Sequence, residues 1–199
     1  LDLLAEGKRP VSPTTGCYID PKESRLNQTA KCRVRRFREA DVVAVRKLIH
    51  HTIDECYVRD YPPRAVQFFR DFHSEASILE RNVEGELLVV EQQGRLIGTG
   101  AIVGEDIFGV FVHPEFQGKG IGSLLMRELE ALAVEKGNHE AVLDVSLPSR
   151  PFYERLGYRI IAEKSIDVGE GEILRYWTAN KELKPPEAQP AAAVDKPRP

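Results

Sequence analysis

Cysteine, methionine and tryptophan are scarce in this chain of 199 residues, which carries three, one and one of them. The cysteines (Cys17, Cys32 and Cys56) are odd in number and widely spaced, with neither a CxxC pair nor a histidine at ligand spacing. That pattern argues against a disulfide framework and against a zinc site, so no metal is expected and a reducing cytoplasm is the expected compartment. Long hydrophobic runs are missing as well. The stretch Leu87-Leu88-Val89-Val90 falls far short of the about 20 apolar residues that a membrane-spanning helix needs. Residues 1–10 hold an acid at position 2 and no apolar h-region, so no secretory signal is expected in the chain as it stands. An excess of one charge is also absent. With 28 basic and 31 acidic side chains the net charge is −3, which offers no general attraction to nucleic acid or to an anionic membrane. The basic run from Lys31 to Arg38 reads as a strand with one exposed basic face.

What is present reads as a globular chain, 42% apolar and 30% charged, with enough apolar surface for one core. Residues 1–30 are polar and punctuated by Pro10, Pro13 and Pro21, which reads as an N-terminal extension. Residues 184–199 hold five of the 13 prolines and no large aromatic, which reads as a flexible Pro/Ala-rich tail. One domain, 31–183, is expected between them, of ordinary domain size.

Within it, Cys32 to Phe37 reads as a short strand. Asp41 is a candidate N-cap for a helix with apolar residues at Val42, Val45, Leu48, Ile49, Ile53 and Cys56. Tyr61-Pro62-Pro63 breaks the chain and opens a second helix with Phe68, Phe69 and Phe72, and a short helical piece comes next from Ser74 to Arg81. The period then changes to that of strands: Glu86 to Gln92, Arg95 to Val103 and Asp106 to Val112, joined by Gln93-Gly94 and Gly104-Glu105. A helix from Gly120 to Lys136 should bury Ile121, Leu124, Leu125, Leu129 and Leu132. A strand at Ala141 to Val145, a short helix capped by Ser149, and strands at Tyr158 to Ile166 and Glu172 to Thr178 complete the order. The expected class is α/β of the α+β type: a mixed, mostly antiparallel central sheet flanked by helices.

The chemistry concentrates where a strand ends in His113-Pro114 and the glycines of Gln117-Gly118-Lys119-Gly120-Ile121-Gly122-Ser123 lead into a helix. The first turn of a helix leaves N–H groups without internal acceptors and carries partial positive charge. Glycine removes the Cβ that would hold a bulky anion away, and Lys119 adds a cation, so the loop suits a phosphate or pyrophosphate. A P-loop is excluded because GxxxxGK[ST] is absent. The Rossmann fingerprint fails too, since the three glycines alternate and come after an antiparallel meander.

With its preceding strand and His-Pro turn, this segment resembles the Q/R-x-x-G-x-G/A signature of the GCN5-related N-acetyltransferases, the GNAT family. Pro151-Phe152-Tyr153-Glu154-Arg155-Leu156-Gly157-Tyr158 resembles the family's FYxxxGF element, and the order of elements agrees across the domain. The resemblance implies the family's acyl-CoA N-acyltransferase fold, with acetyl-CoA as acyl donor and a primary amine of a small molecule, peptide or protein as acceptor. It implies that Gln117, Gly118, Lys119, Gly120, Ile121, Gly122 and Ser123 hold the pyrophosphate, chiefly through backbone amides. Val110, Phe111 and Val112 would pair with the pantetheine arm where their strand splays from Ala141 to Val145. By the same resemblance Tyr153 is the general acid for the departing thiolate, and a backbone N–H of Phe111 or Val112 steadies the oxyanion.

The chain departs from family members that carry a glutamate in the strand before the loop, for Ile107-Phe108-Gly109-Val110 holds no carboxylate. Base candidates are Glu105, Asp106, Asp144, His50 and His51, with a water chain as the alternative. Leu147-Pro148 stands where the family often has a cofactor-contacting asparagine. Acids and aromatics between His51 and Pro63 (Asp54, Glu55, Tyr57, Asp60, Tyr61) would suit a cationic amine, or simply a polar surface. No nucleic-acid or membrane partner is expected, and a homodimer is left open. A non-catalytic CoA-binding regulatory module on the same fold is the rival reading, favoured by the missing strand carboxylate.

Overall fold

The computed structural model describes residues 32–184. The expected extension at 1–30, which contains Cys17, and all but the first residue of the expected tail lie outside the described residues. Strand β1 (Arg33–Arg36) is followed by helices α1 (Val42–Cys56), α2 (Pro63–Phe72) and α3 (Glu75–Glu84), then by the meander β2 (Glu86–Gln92), β3 (Arg95–Val103) and β4 (Asp106–Val112). Helix α4 (Ile121–Glu135), β5 (Glu140–Val145), α5 (Arg150–Arg155), β6 (Arg159–Asp167) and β7 (Ile173–Glu182) complete the order. Seven strands form one sheet in the order β1-β2-β3-β4-β5-β7-β6. Every neighbouring pair is antiparallel except β4 and β5.

Period-two alternation explains the layering. Leu88 and Val90 of β2 face one core with Ile121, Leu125, Met126 and Leu129 of α4, while Leu87 and Val89 face the other with Val45, Leu48, Ile49 and Ile53 of α1. The sheet is therefore covered on both faces, α1 to α3 on one and α4 with α5 on the other. Gln93 and Gly94 both take positive φ, as a tight two-residue hairpin turn requires, which is why β2 and β3 begin and end where the sequence places them.

Several local expectations change. Asp41 does not cap α1, because a 3₁₀ turn at Glu39–Asp41 precedes that helix. Its carboxylate is taken by the Arg35 guanidinium at 2.7 and 3.0 Å and by the Arg38 N–H at 2.8 Å. The Arg35 guanidinium holds that carboxyl below the usual carboxylate range. Ser149 likewise makes no cap: its hydroxyl donates to the Ser146 carbonyl at 3.0 Å. Ser74 does cap α3, accepting from the Ser77 N–H, and that helix runs on to Glu84 rather than stopping at Arg81. On α4, Met126 and Ala133 take buried places while Leu124 and Leu132 are half-buried, a rotation of the expected stripe. Strand β7 extends to Glu182, beyond the expected Thr178, because its far end pairs with β5 through Glu140↔Glu182.

Candidate active site

Strands β4 and β5 are paired only at Asp106↔Val142 and Ile107↔Leu143, and then part. The cause lies in β4. Between Ala101↔Phe108 and Thr99↔Phe111 the strand β4 carries one residue more than β3, a bulge that bends the strand and re-aims the residues beyond it. Gly109 sits in it at φ +57, a left-handed conformation that glycine adopts without strain. A Cβ there would lie 3.3 Å from the His73 ring. The space over the bulge is thus filled by an imidazole from the end of α2, and no β4 side chain projects there.

Beyond the bulge the ladder is regular again, and the His113 N–H donates to the Ile97 carbonyl at 2.9 Å. Antiparallel pairing alternates, so Phe111 turns its main-chain groups toward β3 as His113 does, while Val110 and Val112 turn theirs to the open side. Of the two N–H groups nominated from the sequence, that of Val112 faces the opening and that of Phe111 does not. The Val112 carbonyl accepts a hydrogen bond from Gln117 Nε2 at 3.0 Å and lies 3.5 Å from the Thr52 hydroxyl.

The next loop delivers its glycines to the same opening. Gly118 has φ +71, and Gly120, the residue before α4, has φ +85. The first regular bond of α4 runs from the Leu124 N–H to the Gly120 carbonyl at 2.9 Å, leaving the N–H groups of Ile121, Gly122 and Ser123 without intrahelical acceptors. The Ile121 side chain is buried in the core, so this residue offers only its backbone. The Lys119 ammonium lies over the Phe116 ring, 5.2 Å from its centroid, and borders a separate small recess rather than the main cleft.

That main cleft has a volume of about 580 Å³ and is bordered by Val110, Phe111 and Val112 of β4, by Gln117, Gly118, Gly120, Gly122 and Ser123, and by Tyr153. Tyr153, on α5, is 7% exposed, with the rings of Phe152 and Tyr158 at 5.1 and 5.8 Å. Burial pushes its phenol above the ordinary tyrosine range, so it keeps its proton at neutral pH. Across the cleft stands Tyr57, at the end of α1, whose phenol burial pushes up to about 12 despite the nearby Ser146 hydroxyl. Its ring meets Phe69 edge-on at 4.9 Å and lies 6.3 Å from Phe111.

Sequence reasoning missed Thr52, Cys56 and Arg155 as parts of this border. A polar Thr52 within the buried stripe of α1 was the available signal. Thr52 is 3% exposed and its hydroxyl donates to the Leu48 carbonyl at 2.8 Å.

None of the five base candidates borders the cleft. His50 Nε2 faces the carbonyls of Arg70 and His73 at 3.1 and 3.3 Å. His51 is exposed and packs on His113, with ring centroids 4.9 Å apart. Asp144 accepts from the Thr178 hydroxyl at 2.8 Å, and partial desolvation, with the Asp144 carboxylate nearby, raises the carboxyl of the exposed Asp106. Glu105 sits exposed in the turn before β4, where its carbonyl accepts from the Val142 N–H at 2.9 Å. The acids expected to greet a cationic amine are elsewhere too: Asp54 is paired with Arg70 at 2.6 Å, and Glu55 and Asp60 are exposed away from the cleft border. Tyr61 serves as a strut instead, donating to the Arg175 carbonyl at 2.9 Å and accepting from the Leu147 N–H at 2.8 Å. Leu147 and Pro148 lie in the turn before α5, and Pro148 borders the cleft.

Comparison with known proteins agrees with this architecture. Over 77 residues the chain is 32% identical to the glucosamine 6-phosphate N-acetyltransferase of Trypanosoma brucei brucei, a match covering 33% of this chain and 52% of that enzyme. The chain thus spans about half the length of that curated relative. A GCN5-related N-acetyltransferase structure from Rhodopseudomonas palustris superposes with a TM-score of 0.70 at 24% identity, covering 76% of this chain and 95% of that one. The PaiA N-acetyltransferase of Thermoplasma acidophilum, solved in complex with coenzyme A, superposes with a TM-score of 0.62 at 19% identity over 76% of this chain and 98% of that one. These two likenesses establish the fold. The model of the acetyltransferase (GNAT) family matches residues 46–158, more than half of the chain, and the chain belongs to that family.

Proposed function

We propose that this protein moves the acetyl group of acetyl-CoA directly onto a primary amine. The observation that carries the reading is the convergence, in one cleft, of an unpaired stretch of β4, a glycine loop with open amides and a protonated buried phenol. The amides of Ile121, Gly122 and Ser123, with the glycines before them, form a cradle for a diphosphate. The open-side groups of Val110 and Val112 can pair with the amides of a pantetheine arm as though with another strand. The Val112 N–H is then the donor nearest to a thioester carbonyl lying along that edge, suited to the oxyanion of a tetrahedral intermediate.

Tyr153 supplies the remaining group. The amine nitrogen bonds to the thioester carbon, the carbonyl π-pair moves to oxygen, and its return expels the CoA sulfur. Tyr153 gives its proton to that sulfur, the new amide nitrogen loses one to water, and the phenolate is reprotonated from solvent. Thiol release from acetyl-CoA in the presence of an amine panel tests this reading. Reproducible release that needs both amine and Tyr153 supports it, and binding of acetyl-CoA without release to any amine overturns it.

A second reading, a CoA-binding module that transfers nothing, is favoured by one observation: among the described residues no carboxylate or imidazole borders the cleft. The same assay separates the two. Residues 31–183 form the proposed catalytic domain, and the cytoplasm is the proposed compartment, on the cysteine spacing.

A further inference from the structure

Among the described residues no hydrogen bond reaches the Tyr153 phenol, which is surrounded by packing and by the neighbouring Tyr57 phenol. Its oxygen therefore sits where the backbone of α5 puts it. That helix has six residues, fewer than the about 12–15 at which an isolated helix begins to hold in water, so its placement is imposed from outside. The turn that leads into it, Leu147–Ser149, is closed on itself: the Ser149 N–H donates to the Ser146 carbonyl at 3.0 Å, and the two serine hydroxyls lie 2.8 Å apart.

Two phenols from the end of α1 tie this turn to the rest of the fold. Tyr57 and Tyr61 stand one helical turn apart, the Tyr61 N–H donating to the Tyr57 carbonyl at 3.0 Å, with Phe69 edge-on to their rings at 4.9 and 5.0 Å. The Tyr57 phenol meets the Ser146 hydroxyl. The buried Tyr61 phenol accepts from the Leu147 N–H at 2.8 Å and donates to the Arg175 carbonyl of β7 at 2.9 Å. One oxygen thus joins the corner between α1 and α2, strand β7 and the turn before α5. Arg150 adds a half-exposed contact between α5 and β7, over the Trp177 ring at 4.7 Å. Tyr61 itself does not border the cleft.

From this bridge, and on the acetyltransferase reading above, we infer that Tyr61 is a positioning residue for the acid: it fixes the turn before α5, and through it the aim of the Tyr153 phenol at the CoA sulfur. Proton transfer needs heavy atoms within about 2.6–3.2 Å, and a displacement of about 1 Å can cost about 10²-fold in rate. Without the Tyr61 oxygen, the Leu147 N–H and the Arg175 carbonyl must find other partners, and the turn shifts with its N–H.

Tyr61→Phe keeps the ring against Phe69 and deletes only the bridge. The whole chain is tested unaltered, with Tyr61→Phe, with Tyr153→Phe and with both. The single-turnover rate of thiol release from saturating acetyl-CoA is read with the best acceptor among glucosamine 6-phosphate, spermidine, phenethylamine and alaninamide, alongside calorimetric binding of acetyl-CoA. Tyr61→Phe should slow release by about 10- to 100-fold and leave the acetyl-CoA dissociation constant within about twofold. In the Tyr153→Phe background it should cost less than about twofold, since a missing acid cannot be misaimed. A fall under tenfold, a larger fall than twofold in the Tyr153→Phe background, lost acetyl-CoA binding or an unfolded chain overturns the inference. So does a Tyr153→Phe chain as fast as the unaltered one, there being no acid to aim. Transfer by the unaltered chain keeps the transferase reading standing in each of these cases, whereas acetyl-CoA binding without transfer to any of the amines overturns both.

Discussion

The side-chain amide of Gln117 donates to the carbonyl of Val112 across 3.0 Å. It thereby covers the open-side acceptor that a pantetheine amide would otherwise meet. A hydrogen bond of this kind contributes about 0.5–1.5 kcal/mol net. Gln117→Ala should therefore tighten acetyl-CoA binding by about two- to tenfold and leave kcat within about twofold, since the loop amides remain. Calorimetry checks it, and a weaker complex would show that the side chain itself contacts the donor.

Tyr153→Phe removes the phenolic proton while keeping the ring between Phe152 and Tyr158. Turnover should fall by about 10²–10⁴-fold with the acetyl-CoA dissociation constant nearly unchanged. Thiol release and calorimetry on the same preparation separate the two effects. An unaltered kcat with the best amine would remove Tyr153 from the acid role.

Gly120 precedes α4 at φ +85. Gly120→Asp places a negative charge and a Cβ at the proposed diphosphate cradle and should abolish measurable acetyl-CoA binding. Gly120→Ala separates strain from charge: it should destabilise the fold by about 1–3 kcal/mol through its left-handed backbone, yet retain weakened binding. Urea titration with ligand calorimetry tells these apart.

His73 predicts an acid limb in stability. Burial, with the Arg81 guanidinium and His50 nearby, lowers its pKa to about 3. The folded state therefore binds fewer protons than the unfolded one between pH 6.5 and 3. Stability is fully present above pH 6.5 and is lost as the pH falls through that window, by up to about 1.4 kcal/mol per pH unit. Urea denaturation at pH 7 and pH 5 should show the loss, and His73→Gln should reduce it. A residual slope is expected because His113, buried beside Arg95, is lowered in the same direction.

The sequence by itself determined whatever depends on neighbours along the chain. The alternation and tight turns of Glu86 to Val112 defined three strands to the residue, and the glycines from Gly118 to Gly122 with Phe152-Tyr153 marked the cleft and its phenol. Those signals are local: a turn needs its own positive φ, and a helix start needs its own open amides. Only the tertiary structure decided which groups face one another. The extra residue that β4 carries opposite β3 sets Val112, not Phe111, toward the opening, and no pattern within β4 reveals a register set by another strand. Asp41 resembles a cap, but the Arg35 guanidinium of β1, brought close by the fold, takes its carboxylate. Ser149 fails as a cap for a local reason, since the turn before α5 hands its hydroxyl the Ser146 carbonyl. Glu105, Asp106, Asp144, His50 and His51 all looked available as bases. In the fold His50 faces the carbonyls of Arg70 and His73, His51 packs on His113, Asp144 engages Thr178 of β7, and Glu105 and Asp106 stand at the start of β4, none of them on the cleft border. A proton can be passed only between groups that the three-dimensional fold brings within reach.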